Sequence, residues 1–518
     1  MKKYICDGLA DYLSKDRKPW HMPGHKRRNF IDELKGEAAW NMAAFSALDD
    51  EAGEWAFNID TILALGKTMD VTEVSGTDDL HHPEEMILKS QQQLSEIYGS
   101  YASYYMVNGS TGGILSAIGA VADAGKAADN NKIIIARNCH KSVYNAVKLF
   151  DLQPIYVEPE YVELECGEGK SGESVYMSQT DCDSYIYGAI KPQQIKLVVE
   201  QHKDVCAVVI TSPTYEGVVS DVEGIKKVLE LYNIPLIVDE AHGAHLPFMA
   251  GAGGLPASAV SLGADIVVQS LHKTLPALTQ TAVIHVNNEK LCDGVQKYLS
   301  VFMSSSPSYL MLCAMEQAVV DSWEWKLHNG YEEYLKTLRD FRENIGKLTN
   351  IKLLGNIQEK SVAENQVDKA KLSGYEDREH ILLDETRIVL YTSYPGELIG
   401  KRLRELGNIE IEMSGVNYVV LISTYMDSLE DFEHLKRVIK LLDEELGSQK
   451  LSLDDSNKAV DKALWDEQLY KLVGTCATDN IYVYPPGSYI VAAGEVITEE
   501  AVDKILKLRE SGKRIVGI

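Results

Sequence analysis

Ala264-Asp265-Ile266-Val267-Val268-Gln269-Ser270-Leu271-His272-Lys273 is the stretch on which the rest of the chain turns. Residues 264–269 form a short apolar run around Ile266, Val267 and Val268, the pattern of a strand buried on both faces. A lysine follows at a polar turn, beside a serine and a histidine suited to holding a phosphate. Lysine is seldom placed at such a strand end for packing alone. An amine facing a pocket there is placed to form a Schiff base with an aldehyde. Taken by itself, Lys273 reads more simply as a surface residue, so the neighbouring strand ends carry the decision.

Further apolar runs without polar alternation occur at 132–136, 205–210 and 234–238, separated by helical stretches. That alternation predicts a largely parallel sheet covered on both faces. Each strand end is followed by chemistry-bearing residues. After 136 comes Arg137-Asn138-Cys139-His140-Lys141-Ser142, in which His140 is either a satisfied core histidine or an imidazole stacked on a flat ring. Thr211-Ser212-Pro213-Thr214-Tyr215-Glu216-Gly217 ends the next strand, and Asp239-Glu240-Ala241-His242-Gly243-Ala244-His245 the one after it. A carboxylate at that end of a parallel strand lies where open α/β sheets bind ligands, and Asp239 suits a protonated ring nitrogen. His242 and His245 stand at i, i+3, but the intervening Gly243 and the lack of a nearby third ligand argue against zinc. Upstream, Asn108-Gly109-Ser110-Thr111-Gly112-Gly113 opens a helical pattern. It reads as an anion site at a helix N-terminus or, equally well, as an ordinary capped helix; it lacks the ending of a Walker A loop. Together these segments supply a phosphate cradle, a pyridinium partner, a ring-stacking group and a Schiff-base lysine, the parts that a pyridoxal-phosphate site requires.

Composition limits the alternatives. The 518 residues are enough for about three domains. With 51 Lys and Arg against 77 Asp and Glu, the net charge of −26 argues against a nucleic-acid or anionic-membrane surface. Twelve acidic residues and one lysine fall between Glu37 and Glu85, as either a solvated acidic face or a rim that attracts a cationic substrate. Eight cysteines without a C-x-x-C spacing suit reduced thiols in a cytoplasm. Asp7 and Asp11 interrupt any signal-peptide core after Met1-Lys2-Lys3, and no apolar run reaches membrane-spanning length. The expected domains are an N-terminal arm and dimerisation segment (1–70), a cofactor-binding large domain (71–315), a small α+β domain (316–450) and a C-terminal unit (451–518). A charged helical run over 315–348 bridges the middle two, and 160–184 reads as a long surface loop.

The chain resembles the bacterial ornithine/lysine/arginine decarboxylase family, of the aspartate-aminotransferase fold (fold type I). The likeness rests on His21-Met22-Pro23-Gly24-His25-Lys26, Thr72-Glu73-Val74-Ser75-Gly76-Thr77-Asp78-Asp79-Leu80-His81, Arg137–Ser142, Ser212–Gly217, Asp239–His242, Ser270–Leu275 and Tyr484-Pro485-Pro486-Gly487, in family order. It implies Lys273 as the cofactor-bearing lysine, Asp239 on the pyridine nitrogen, and His140 stacked on one face of the ring with Ala241 on the other. Ser110, Thr111, Gly112, Ser270 and His272 would bind the phosphate, with Thr211 and His242 also lining the cofactor. It further implies a homodimer with shared sites, in which Ser305 of the 304–309 loop reaches the neighbour's phosphate. Glu73, Asp78, Asp79, His81 and Glu495 would meet the substrate's distal cation. The activity implied is α-decarboxylation of arginine, lysine or ornithine in the cytoplasm, with carbon dioxide and an amine as products.

The chain departs from the family pattern in three ways. It opens directly at the arm without a wing domain, its C-terminal unit looks shortened, and it reads Ser488-Tyr489-Ile490-Val491-Ala492-Ala493-Gly494-Glu495 after the Pro-Pro-Gly turn. Two rival readings share the scaffold: an aminotransferase or other fold-type-I lyase, and a cofactor-binding regulatory protein without turnover.

Overall fold

Seven strands build the central sheet: β1 (Ala102–Met106), β2 (Lys132–Ala136), β3 (Gln153–Val157), β4 (Val205–Thr211), β5 (Leu236–Asp239), β6 (Ile266–Gln269) and β7 (Ala282–Val286), in the order β1-β7-β6-β5-β4-β2-β3. The computed structural model describes residues 18–21, 66, 70–74, 76–164, 185–249, 255–345, 348–355, 382–448, 469–484, 488–510 and 513–517. Most of the expected arm, residues 165–184 and the turn Pro485-Pro486-Gly487 lie outside the described residues.

The run β3-β2-β4-β5-β6 is parallel throughout, and β7 pairs antiparallel with both β6 and β1. Strands β5, β6 and β7 are buried at every position, which is why they read as apolar runs without alternation. The register sets Thr211 opposite Asp239 and Asp239 opposite Val268. The carboxyl ends of β4, β5 and β6 therefore stand side by side. The antiparallel pairings bring Met106, at the end of β1, opposite Ala282, and Val283 opposite Gln269, so the turn after β1 opens on the same edge.

That turn leads into helix α1 of the site (Gly109–Ala127), entered through Gly109 at φ +65. Gly113 lets the first turns of α1 lie directly on the sheet: a Cβ there would come within 2.6 Å of the Met106 thioether and 2.8 Å of Val268 Cγ1. Helix α2 (Lys141–Leu149) follows β2 and the four-residue helix α3 (Leu271–Thr274) follows β6. Lys273 thus sits within a short helical turn, with Ser270 at its N-cap position, rather than on an open polar turn.

A second sheet, β8 (Ile351–Leu353), β9 (Arg387–Thr392), β10 (Met413–Ser414) and β11 (Tyr418–Ile422), is antiparallel in the order β8-β9-β11-β10. It is tied to the first by the short strand Leu382–Leu383, which pairs antiparallel with Val218–Val219 beyond β4. The expected single helical run over 315–348 is two helices, Tyr309–Leu327 and Gly330–Asn344, broken where Asn329 takes φ +58. Residues 161–163, expected as loop, form a strand paired with Tyr185–Tyr187. A third sheet joins β12 (Ile481–Tyr484), β13 (Ser488–Val491) and β14 (Arg514–Val516) around β12. It meets the central domain where Tyr489 stacks on Tyr144 with ring centroids 3.7 Å apart.

The close approach of α1 to the sheet is testable. Gly113→Val drives two methyl groups into Met106 and Val268, and overpacking of this kind costs about 1–3 kcal/mol. Urea unfolding should show a lower midpoint with an unchanged slope.

Candidate active site

The site forms at the shared edge because four strand ends deliver their following residues to one place. Ser110 Oγ, in the first turn of α1, lies 3.0 Å from Ser270 Oγ at the end of β6. The first turn of α1 carries no acidic side chain, and Asn108 makes no side-chain capping bond to it; the Asn108 amide nitrogen donates to the Phe302 carbonyl. Free backbone N–H groups, the positive end of a 19-residue helix and two hydroxyls make an anion cradle. Gly112 is buried in that turn and Thr111 is exposed on it. His272 donates from Nδ1 to the Thr281 carbonyl, an acceptor only, at 2.9 Å.

Lys273 Nζ lies 3.0 Å from His242 Nε2. Burial draws the amine below the usual lysine range, and the charges felt there are Asp239 and Glu412, which oppose that shift, and Arg387, which adds to it. Asp239 is 4% exposed and accepts the Ala241 N–H at 3.2 Å. Burial pushes its carboxyl up, with the Lys273 charge pulling the other way. An apolar-walled carboxylate of this kind is stabilised in its charged form by a cationic nitrogen. Thr211 Oγ1 is buried, with the Cys139 thiol beside it.

His140 is the N-cap of α2: its Nδ1 accepts the Ser142 N–H at 3.3 Å and stands 2.9 Å from Ser142 Oγ. Burial, with the Lys273 charge second, pulls its imidazole down to about 4. His242 is driven well below the ordinary histidine range by burial, then by Lys273 and Arg387. These residues fit pyridoxal phosphate on the geometry alone. The uncapped helix N-terminus suits the phosphate, the buried Asp239 the ring nitrogen, and an amine held below the ammonium range the aldehyde.

The residues expected around the distal cation fall in two places, 73–81 beside the 304–306 loop and Glu495 beside the end of β2. Asp78 accepts backbone N–H groups from Asp79, Glu84, Glu85 and Ile87, all at 2.9 Å, anchoring the start of the helix Met86–Tyr98. These bonds hold its carboxyl down to about 2 against the cost of burial. Asp79 accepts the His81 N–H at 2.8 Å, and His81 Nε2 lies 2.8 Å from the Ser304 carbonyl. Ser306 Oγ donates to Glu73 Oε2 at 3.4 Å, while Glu73 Oε1 is buried without a hydrogen-bond partner among the described residues. Ser305 is exposed in the same loop. Glu495 forms an ion pair with Arg137 Nη1 at 2.9 and 3.0 Å and accepts the Ala492 N–H at 2.8 Å, fastening the third sheet beside the end of β2.

Two charged residues acting on Lys273 were not anticipated from the sequence. Arg387 opens β9 and is 2% exposed, with Nη2 donating to the His242 carbonyl at 2.8 Å. Glu412, from the loop between Ile409–Ile411 and β10, meets the Tyr215 hydroxyl. Tyr215 in turn lies against His242, ring centroids 4.5 Å apart. A charged residue at the head of the apolar run Arg387-Ile388-Val389-Leu390 was the available signal for Arg387.

A family model described as Orn/Lys/Arg decarboxylase, major domain, matches residues 5–430. The uncharacterized protein YaaO of Bacillus subtilis is 31% identical over 533 residues, spanning 100% of this chain and 96% of its own. An arginine decarboxylase of the same organism is 27% identical across 99% of this chain and 95% of its own. Among solved structures, the Francisella novicida lysine decarboxylase has the same fold, with a TM-score of 0.64 at 17% identity over 99% of this chain and 81% of that one. With the match across most of its length and the relative at 31% identity, the chain belongs to the Orn/Lys/Arg decarboxylase family, pyridoxal-phosphate-dependent carboxy-lyases of fold type I.

Proposed function

We propose that this protein removes the α-carboxyl group of a basic L-amino acid, arginine first among the three candidates, as a homodimer with shared sites in the cytoplasm. The observation that carries the reading is the convergence of Lys273, Asp239, His140 and the Ser110–Ser270 cradle on one sheet edge. Arginine leads because relatives matching over nearly the whole chain at 25–27% identity are arginine decarboxylases. The lysine decarboxylases stand at 22%.

Lys273 would hold the cofactor through its aldehyde and faces the incoming amino group. Asp239 keeps the ring nitrogen protonated by charge pairing in a water-poor setting. Pyridoxal phosphate, when bound, supplies an electron sink for the pair left at Cα as carbon dioxide departs. Lys273 or a neighbouring histidine would supply the proton at Cα. His140 stays neutral and presents a flat face rather than a charge. Ser110, Thr111, Gly112, Ser270 and His272 hold the phosphate, with Ser305 of the neighbour adding to it, while Thr211, Ala241 and His242 line the ring. For the distal cation, Glu73 offers an oxygen without a hydrogen-bond partner among the described residues, and Glu495 would share its carboxylate with Arg137. Asp78, Asp79 and His81 shape the segment that carries Glu73.

Carbon dioxide release should be measured from arginine, lysine and ornithine in parallel. Arginine is expected to turn over with the highest kcat/KM, and Lys273→Ala is expected to lose both turnover and the visible band of the lysine-bound cofactor. A keto acid appearing in place of carbon dioxide would instead identify an aminotransferase.

The neutral imidazole has a further consequence. His140 titrates near 4 in the folded chain and near 6.5 when unfolded, so between those values the unfolded chain binds more protons. Stability is complete above the upper value and falls as pH drops toward the lower one. His140→Asn, which keeps a capping acceptor, should remove about one proton's share of that slope, about 1.4 kcal/mol per pH unit. Urea midpoints of the cofactor-free protein across that window check it.

A further inference from the structure

We propose that Arg387 is a positioning residue: through His242 it holds the Lys273 amine in the neutral form that attacks the cofactor's aldehyde. This rests on Lys273 being the cofactor-bearing lysine.

A guanidinium has five N–H donors and no acceptor. Arg387 Nη2 donates to the His242 carbonyl at 2.8 Å and lies 3.4 Å from His242 Nδ1. The ring nitrogen facing it must therefore offer a lone pair, which puts the imidazole hydrogen on Nε2. That nitrogen is 3.0 Å from Lys273 Nζ. An N–H pointed at an ammonium sets hydrogen against hydrogen, whereas a neutral amine presents its lone pair. The chain of donors thus runs one way, from Arg387 through His242 to Lys273, and is satisfied when the lysine carries no charge.

Arg387 is held in place from behind. Its Nη1 donates to Thr386 Oγ1 at 3.1 Å and lies 3.8 Å from Asp384 Oδ2. Asp384 accepts from Thr386 N at 3.1 Å and Thr386 Oγ1 at 2.7 Å, and meets His245 Nε2 at 3.2 Å. Burial resists the Asp384 charge, but His245 and Arg387 outweigh it and keep the carboxyl far down.

The charged and titratable groups facing Lys273 from the surrounding elements are Asp239 at the end of β5, Glu412 before β10, His140 before α2, His242 after β5, His272 on α3 and Arg387 on β9. Asp239 and Glu412 favour the ammonium, and Arg387 is the cation that opposes them. Removing its charge frees the His242 hydrogen to move to Nδ1, so that Nε2 accepts from an ammonium instead.

The test follows capture of pyridoxal phosphate by the cofactor-free full-length protein, read as growth of the visible band from about pH 6 to about pH 10. In Arg387→Gln the midpoint of the capture rate should move up by about one pH unit, an approximately tenfold slower capture at neutral pH. Arg387→Lys should recover part of it. His242→Leu, which leaves the backbone carbonyl for Arg387 to bind, should give the same upward shift even where Arg387→Gln folds poorly. Combining the two changes should shift the midpoint by less than the sum of the two single shifts. An unchanged capture profile in either single variant overturns the proposal, including the case in which only KM for the amino acid rises and the guanidinium acts on the substrate carboxylate. A visible band that persists in Lys273→Ala would instead refute the underlying lysine assignment, an outcome distinct from either.

Discussion

Parallel pairing of β2, β4, β5 and β6 puts their carboxyl ends on one edge of the sheet, and the remaining chemistry depends on that placement. Parallel strands need crossover connections, so each strand end must turn into a loop or helix at the same rim. His140, Thr211, Asp239 and Lys273 are separated by 133 positions from first to last, yet they arrive together because every intervening segment returns to the opposite edge before the next strand begins. The antiparallel β7 extends the logic to β1, whose end delivers Ser110 to the same rim. Backbone hydrogen bonding within the sheet does the positioning, and the functional side chains need only be the right ones.

Enclosure then governs their charge. In a poorly solvated pocket, imidazoles, amines and carboxyls all drift toward their neutral forms, as His140, His242, Lys273 and Asp239 each do. The isolated site therefore carries its acids, bases and amine with reduced charge. A bound group that brings its own cationic ring nitrogen and anionic phosphate meets partners not already committed to strong pairs. Asp384 is the counterexample in the same neighbourhood: pairing with His245 and Arg387 overcomes burial, and it stays ionised.

Fold class was legible because the buried strands leave an unmistakable mark. Ile266–Gln269, Lys132–Ala136 and Val205–Thr211 are continuous apolar runs, and the residues just beyond them are polar without being turn formers alone. The break at Asn329 was not legible, since the charged pattern on either side continues through it and only the backbone angle reveals the turn. In the site, the residues following strand ends were visible one segment at a time. Arg387 and Glu412 were not, because both come from the second sheet, and nothing in a linear pattern states how two sheets are set against each other.

That setting has its own physical basis. Leu383 pairs with Val218, and Asp384 N donates to the Gly217 carbonyl at 2.8 Å, so two strands and one further backbone bond join the sheets just beyond Thr214. Three residues later the chain enters β9 with Arg387, whose backbone N–H returns to the Asp384 carbonyl at 3.1 Å. The segment that fastens the second sheet to the first is therefore the same segment that carries the guanidinium to His242. A displacement between the sheets at this junction would carry Arg387 with it. The tyrosine–carboxylate contact between Tyr215 and Glu412 crosses the same seam from the other side. Domain placement and the state of the lysine are thus one structural problem in this chain, solved by a junction of a few residues.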